Sequence, residues 1–474
     1  MLKKSLVIMS ISVAYFAQAQ NISTIRNSLE VYSNTPMIGS SKFNAMAGSN
    51  GALGGDATSL MTNPAGLGVA IAGDASATLF LSNNKNTSSL AGSSINYNIN
   101  KFTLGNAGGV ATIQLMTESA WKFINIGANI SMQSLEDYVE SPGNANVIIP
   151  KNLINSSGNP VVGNMSYLGH AYNRYGNQTK FNLGVGANYN NSLYVGASIN
   201  MHYAEIDQYD SAKFGLDLDN SVNSFDKQYT PFSEKSNGFS ATIGVIGKLS
   251  NQFRLGASIE TPTWWNIDRA FREYSDGNDG IYYSNYVEDR NFRSPMKATV
   301  SGAFVPNKNF AINVDYTLGL TKPKYTVDGN AERELNSFFN DNYKNLSEVR
   351  VGAEYRIKAF RLRGGYSYMS SPIDAMTINS YSNAGVAGDN NYSNLVLGER
   401  NTIGAGVGYD FGNFYVDAAY QNISSKYNNP FLKGSAADGT GYYSGDFDVN
   451  TPTSVVSSVK NNRNNFFLTF GWKF

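Results

Sequence analysis

The chain has 474 residues, with 46 Gly, no Cys, and 36 basic side chains balanced by 36 acidic ones. Zero net charge leaves no basic footprint for nucleic acid, and the lack of Cys excludes disulfides, thiolate metal sites, a Cys nucleophile and a lipidated Cys anchor. With 13% aromatic residues, only 15% charged residues and a mean hydropathy of -0.29, the composition excludes a helical membrane protein and leaves a β-rich chain, either soluble or a transmembrane barrel.

At the amino terminus Lys3 and Lys4 precede an apolar run from Leu6 to Phe16, and Ala17-Gln18-Ala19 places small residues where a signal peptidase cuts. The run is too short to span a bilayer, so 1–19 reads as a signal peptide and Gln20 as the first residue of an exported chain. Residues 20–73 do not alternate. They carry turn and short-helix signals, with Asp56 placed to N-cap a short helical turn that Asn63-Pro64 would stop. Such a segment is of a size to plug a medium-sized barrel.

From Asp74 onward one unit repeats: an alternating apolar/polar run, then a break. Candidate strands start near Asp74, Ala107, Trp121, Thr179, Leu193, Lys235, Gln252, Tyr286, Asn309, Lys344, Phe360, Leu397, Phe414 and Asn462. Phe181, Leu183, Val185, Ala187 and Tyr189 share one face, and Asn182, Gly184, Gly186 and Asn188 the other. The breaks near 117–119, 190–192, 250–251, 306–308, 358–359 and 412–413 are tight. Those near 84–106, 133–178, 210–236, 273–288, 322–345, 372–396 and 428–463 are long and polar. Tight turns at one end and long loops at the other fit an outer-membrane barrel of about fourteen strands, spanning 74–474, with periplasmic turns and extracellular loops.

The register assigns Arg254, Glu260, Asp315, Arg350, Glu354, Arg356, Arg361, Arg363, Asp410 and Asp417 to the lumen, as interstrand ion pairs or as transport groups. It assigns Ile199, Val351 and Leu468 to lipid, so Arg should be tolerated far better at Asn200, Gly352 or Thr469. The terminal strand carries Phe466, Leu468, Phe470, Trp472 and Phe474 on one face, a pattern resembling the signal read by the barrel assembly machinery. Trp472, Phe474 and Trp265 are expected in the interface girdle, and Trp264 at the lumen mouth as a substrate contact if Pro262 leaves the register intact. Val147, Ile148 and Ile149 form an apolar stretch in a loop that should be wet. They either contact cargo or pack within an ordered loop.

Catalytic signals are lacking. His170 and His202 lie in different segments, with no metal-binding, phosphate-binding or nucleophile motif in a plausible context, so neither metal nor cofactor is expected and the chain is not read as an enzyme. Haem capture through His170 with Tyr167, Tyr172 and Tyr175 is a minor alternative.

The stretch Ala45-Met46-Ala47-Gly48 through Gly54-Gly55-Asp56-Ala57, followed by Asn63-Pro64-Ala65-Gly66-Leu67, resembles the hatch of the long-chain fatty acid transporter family (FadL/TodX, OmpP-type). With the strand count and terminal Phe, the resemblance covers essentially the whole mature chain. It implies a monomeric fourteen-stranded barrel in the outer membrane of a Gram-negative bacterium, in contact with its lipids, with 20–73 as hatch. Hydrophobic small molecules would be captured by extracellular loops and released passively past that hatch. It also implies an inward kink in the third strand, near Trp121 to Met132, for which Gly127 is the candidate. A water-filled or purely structural porin remains the competing reading.

Overall fold

Two neighbouring alternating runs show how the sheet forms. Val185 pairs with Ala197, and Asn182 with Asn200, so apolar side chains line up on one surface and amides on the other. In the computed structural model, which describes residues 21–115, 118–154, 160–218, 221–228, 232–277, 280–431 and 453–474, this pattern extends round the whole molecule. The signal-peptide segment lies outside the described residues. No described helix is long and apolar enough to cross a membrane.

The first strands are β1 (Asp74–Leu90), β2 (Ser93–Gln114), β3 (Trp121–Ser134), β4 (Asp137–Ile154), β5 (Pro160–Tyr189), β6 (Leu193–Leu218) and β7 (Ser221–Gln228). Then come β8 (Phe232–Lys248), β9 (Phe253–Glu260), β10 (Trp264–Gly277), β11 (Gly280–Arg293), β12 (Lys297–Asn307), β13 (Phe310–Gly319) and β14 (Lys324–Tyr325). The series ends with β15 (Ser347–Ile357), β16 (Phe360–Met369), β17 (Met376–Tyr381), β18 (Ala387–Tyr392), β19 (Arg400–Asp410), β20 (Phe414–Phe431) and β21 (Val455–Lys473). Strands β1, β2, β3, β5, β6, β8, β9, β12, β13, β15, β16, β19, β20 and β21 form the closed 14-strand antiparallel barrel. Closure pairs β1 with β21, from Asp74 opposite Lys473 to Ser89 opposite Ser458. At the seam Gly73 and Phe474 exchange backbone hydrogen bonds of 2.8 and 3.0 Å.

The outer surface is apolar. Ile126, Val185, Ala197, Ile243, Ile259, Ala298 and Leu318 are successive lateral partners on seven adjacent strands, forming one belt. Leaving such side chains in water forgoes about 1.5–3 kcal/mol each, so this face belongs in lipid. Near the tight-turn end Phe360, Tyr409, Phe411, Phe414 and Trp472 run on at centroid spacings of 4.8, 4.6, 5.9 and 5.2 Å. Trp472 and Phe474 face outward there.

Several expected loops are strands. Segment 84–106 is the end of β1, a tight turn at Ala91-Gly92 and the start of β2. Outside the bilayer neither face needs to be oily, so the alternation stops while the ladder continues. Asn83 bonds Asn98 and Asn100 at 2.7 Å on one face, and Asn86 bonds Asp137 at 2.6 Å on the other. The 133–178 loop is likewise mostly the β4–β5 hairpin. The strand expected from Tyr286 belongs to the outer hairpin β10–β11, where Phe271 and Tyr286 stack at 5.3 Å. The barrel strand is β12.

The inward face is packed, which corrects the expectation that it tolerates Arg. Asn200 donates to Ser240 and Thr242 at 3.2 and 3.1 Å. Thr469 is fully buried against Thr78 and Ser41, and Met46 fills the space above Gly352. Among the luminal charges, Arg363 bridges Glu354 and Asp417 at 2.7 and 2.9 Å, and Arg350 pairs with Glu348.

Candidate functional site

Residues 21–73 lie inside the barrel and touch wall after wall. Local chemistry sets their path. Ser40 caps the short helix Ser41–Ala45, after which Ala47 and Gly48 adopt positive φ and turn the chain. Asp56 caps the 3-10 turn Ala57–Met61 by accepting from Thr58, as its spacing suggested, and Asn63 caps Pro64–Val69 with Pro64 in the first position, where a missing N–H costs nothing.

Small residues of the wall make the seat. A Cβ on Gly196 would strike the Pro64 carbonyl, one on Gly365 the backbone of Met46, and one on Gly404 the carbonyls of Asn44 and Ala45. Gly184 and Gly127 likewise receive Leu60 and Leu67. Polar anchors complete the fit. Asn125 donates to the carbonyls of Leu67 and Ala70 at 2.6 and 2.8 Å, Asp315 accepts from Asn50 N–H at 3.0 Å, and Asn63 Nδ2 donates to Gly51 O and Val245 O at 2.9 and 3.1 Å. Of the motif residues, Asn63, Pro64, Ala65, Gly66 and Leu67 are buried at this contact.

Asn63→Ala removes both the cap and the donor. It should cost about 1 kcal/mol for the cap alone and raise current flicker in planar bilayers. Asn63→Asp keeps the acceptor and should do less.

Asp56 also pairs with Lys42 at 2.8 Å. Burial pushes its carboxyl upward, but Lys42 and the Thr58 hydrogen bonds outweigh this and hold it below the ordinary 3.8. A depressed carboxyl stabilises the fold above its unfolded value and loses that contribution as pH falls through the folded one. The contribution of the Asp56–Lys42 pair to closure should therefore be fully present above pH 3.8 and be lost as pH falls below it, read as conductance that rises at low pH less steeply in Asp56→Asn.

Above this seat lies a cavity of about 160 Å³. Tyr32, Met37, Phe43, Met61, Trp265 and Met369 supply apolar lining, while Lys180, Lys297, Arg350 and Arg400 add positive charge against Glu260 and Glu348. Lys297 and Arg400 hold the carbonyls of Ser33 and Asn34 at 2.7 and 2.8 Å. The alternation placed Glu260 and Arg350 on the luminal face, but nothing in the local pattern marked Lys297 or Arg400, which come from different strands and converge only on barrel closure. Helix Asn21–Glu30 caps the cavity toward the extracellular extensions. Arg26 pairs with Asp137, Glu30 with Arg174 at 3.1 Å, and Tyr32 donates to Glu234 at 2.7 Å.

Trp265 does not join the girdle. It is 3% exposed and donates Nε1–H to Tyr32 O at 3.0 Å, whereas Trp264 is 49% exposed. Thr261-Pro262-Thr263 interrupts the wall between β9 and β10, and the chain resumes with the opposite parity. Val147 and Ile149 point into an apolar cluster with Tyr167, Phe214 and Phe431, and Ile148 alone of the three is exposed, so the stretch is no continuous surface patch. His170 stacks on Phe431 at 4.4 Å, with Nδ1 bonded to Tyr167 and Nε2 to Asn429, leaving neither nitrogen for an iron. Among the described residues no group of three or more His, Asp or Glu is arranged to hold a metal ion.

No family model matches this chain, and no curated protein does. Solved structures do. A FadL homologue of Pseudomonas aeruginosa superposes with a TM-score of 0.55 at 10% identity, covering 92% of this chain and 98% of that one. The toluene transporter TodX of Pseudomonas putida gives 0.53 at 12% identity over 93% and 99%, and the toluene transporter TbuX of Ralstonia pickettii 0.51 at 14% over 92% and 98%. The fold is that of the FadL-type barrels. In this FadL-type barrel the third strand, β3, keeps continuous ladders at Gly127, paired with Val110 on one side and Gly184 on the other. The residue expected to mark a kink is instead where Leu67 meets the wall.

Proposed function

We propose that the protein is a monomeric outer-membrane transporter that passes hydrophobic small molecules, such as long-chain fatty acids or aromatic hydrocarbons, without energy input, and that 21–73 is its hatch. The observation that carries this reading is a luminal cavity of mixed apolar and charged lining, beside the segment 21–73 seated against the inner wall. A general porin needs a wide wet lumen, whereas this one is filled by its own chain. The similarity in fold to proteins described as a FadL homologue and toluene transporters supports the same assignment and argues against an enzyme. The hatch motif Asp56, Asn63, Pro64, Ala65, Gly66 and Leu67 supplies the caps and close contacts that keep it shut.

Loss of the whole protein tests the proposal. Uptake of a long-chain fatty acid or of toluene should fall while that of a small sugar is unchanged. The reverse pattern establishes the porin reading.

A further inference from the structure

The outward face of the closing seam changes character along its length. Leu79 and Leu81 on β1, Tyr420 on β20, and Phe466 and Leu468 on β21 are exposed there and belong to the apolar belt. Beyond them the face turns to amides. Tyr420 donates its hydroxyl to Asn464 Oδ1 at 2.7 Å, Asn422 donates to the same oxygen at 2.9 Å, and Asn83 bonds Asn98 and Asn100. One step further out Lys426 stands directly opposite Lys460, and Lys85, opposite Asn462, is the diagonal neighbour of Lys460. All three lysines are exposed.

Like charges set opposite one another on a sheet are destabilising, and other outward lysines avoid this by pairing, Lys101 with Glu136 at 2.7 Å and Lys235 with Glu205 at 3.4 Å. Among the described residues no carboxylate forms an ion pair with Lys85, Lys426 or Lys460. Glu399, beside Lys426 in the register, instead accepts from Tyr368 at 3.4 Å. The patch therefore carries excess positive charge. Its height decides what it meets. From Trp472 to Lys460 strand β21 rises about 28 Å, at about 3.3 Å per residue and a tilt of about 45°, against an apolar band about 25 Å tall. The ammonium groups thus lie just above the outer edge of the belt, on the side that faces lipid rather than the lumen.

We propose that Lys85, Lys426 and Lys460 bind the phosphate groups of a phosphorylated glycolipid of the outer leaflet, of the lipid A type. This rests on the outer-membrane reading and goes beyond the cargo to the surrounding lipid. An ammonium is a compact point charge suited to a phosphate oxygen, and one phosphate among three lysines turns their mutual repulsion into attraction. The acyl chains of the same molecule lie against Phe466, Tyr420 and Leu81, so the site reads a phosphate attached to an oily body rather than phosphate alone. It clasps the β1–β21 seam, where the barrel closes.

Two measurements test this on the full barrel: lipid A retained through purification in detergent, and heat-modified migration in phosphatidylcholine vesicles with and without lipid A. The unmodified protein should retain lipid A at least tenfold better than lipid A stripped of its phosphates. The triple variant Lys85→Gln, Lys426→Gln, Lys460→Gln should lose that preference. Lys460→Gln alone should unfold at a higher temperature than the unmodified protein without lipid A, because the repulsion is gone, and at a lower one with it. Lys460→Arg should bind as the unmodified protein does. Equal retention by the unmodified protein and the triple variant, or equal retention of the two lipids, overturns the site. Stabilisation by inorganic phosphate equal to that by lipid A overturns the lipid as its occupant. Toluene uptake by the same vesicles separates this from the transport reading: uptake no greater than in empty vesicles, with lipid A retained, overturns transport alone.

Discussion

Deleting residues 21–73 should convert a closed barrel into a steadily conducting one and, at the same time, weaken uptake of hydrophobic cargo. The two effects have separate causes. Conductance rises because the segment fills the lumen from helix Asn21–Glu30 at the outer extensions down to Gly73 at the seam, and a barrel of this strand number is wide enough to hold a water column once emptied. Cargo uptake falls because Tyr32, Met37, Phe43 and Met61, part of the cavity lining, leave with the segment. A small ion and a small sugar should pass faster in the same preparation. Pro64→Gly should do the same more mildly, since it frees the backbone that rests on Gly196 without removing the segment. Single-channel recording and paired uptake assays measure both effects. A deletion variant that folds and stays electrically silent refutes the plug.

Leu468→Arg should destabilise the barrel by about 2–4 kcal/mol if the residue lies near the bilayer midplane, whereas Asn98→Arg should stay within about 0.5 kcal/mol. Leu468 is exposed on the outer belt beside Leu79, while Asn98 lies exposed on the outer part of the β1–β2 hairpin, on a polar face where it bonds Asn83. Ile199 and Val351 should behave like Leu468. Unfolding in lipid vesicles, followed by heat-modified migration, gives the comparison. Equal tolerance at Leu468 and Asn98 would mean that the belt is not in a bilayer.

Alternation made the barrel legible wherever lipid faces one side. It located β5, β6, β15, β16, β20 and β21 through pairs such as Val185 and Ala197. It failed where a strand leaves the bilayer, as with Asn83 to Asn100, because both faces of β1 there carry polar side chains, one exposed and the other packed against β4. It also failed at Trp264 and Trp265. Thr261-Pro262-Thr263 changes the parity there, and nothing in residue type reveals by how much. The cap at Asp56 was readable because it is local, satisfied within two residues, whereas Asn63 was read as a stop and its own cap on Pro64–Val69 was missed. The cavity lining was readable only in part: the register placed Glu260 and Arg350 on the luminal face, whereas Lys297, Arg400 and Tyr32 join them only through long-range closure. The inward glycines look in sequence like loosely specified strand positions, yet each accommodates a particular luminal residue.

That fitted seat bears on the order of folding. Contacts such as Gly365 with Met46 and Gly404 with Asn44 join parts of the chain more than three hundred residues apart, and the β1–β21 seam spans a longer separation still. Closing such distant partners is the slow, entropically costly part of folding. If the seam were zipped first, residues 21–73 would have to thread a lumen with little clearance for their backbone. The geometry favours the opposite sequence, in which the strands wrap the segment as a mould sets round its insert and the seam forms last. A mutation at one of these glycines would then be felt as a fault of assembly, in the yield of closed barrels, before any effect on transport could be measured.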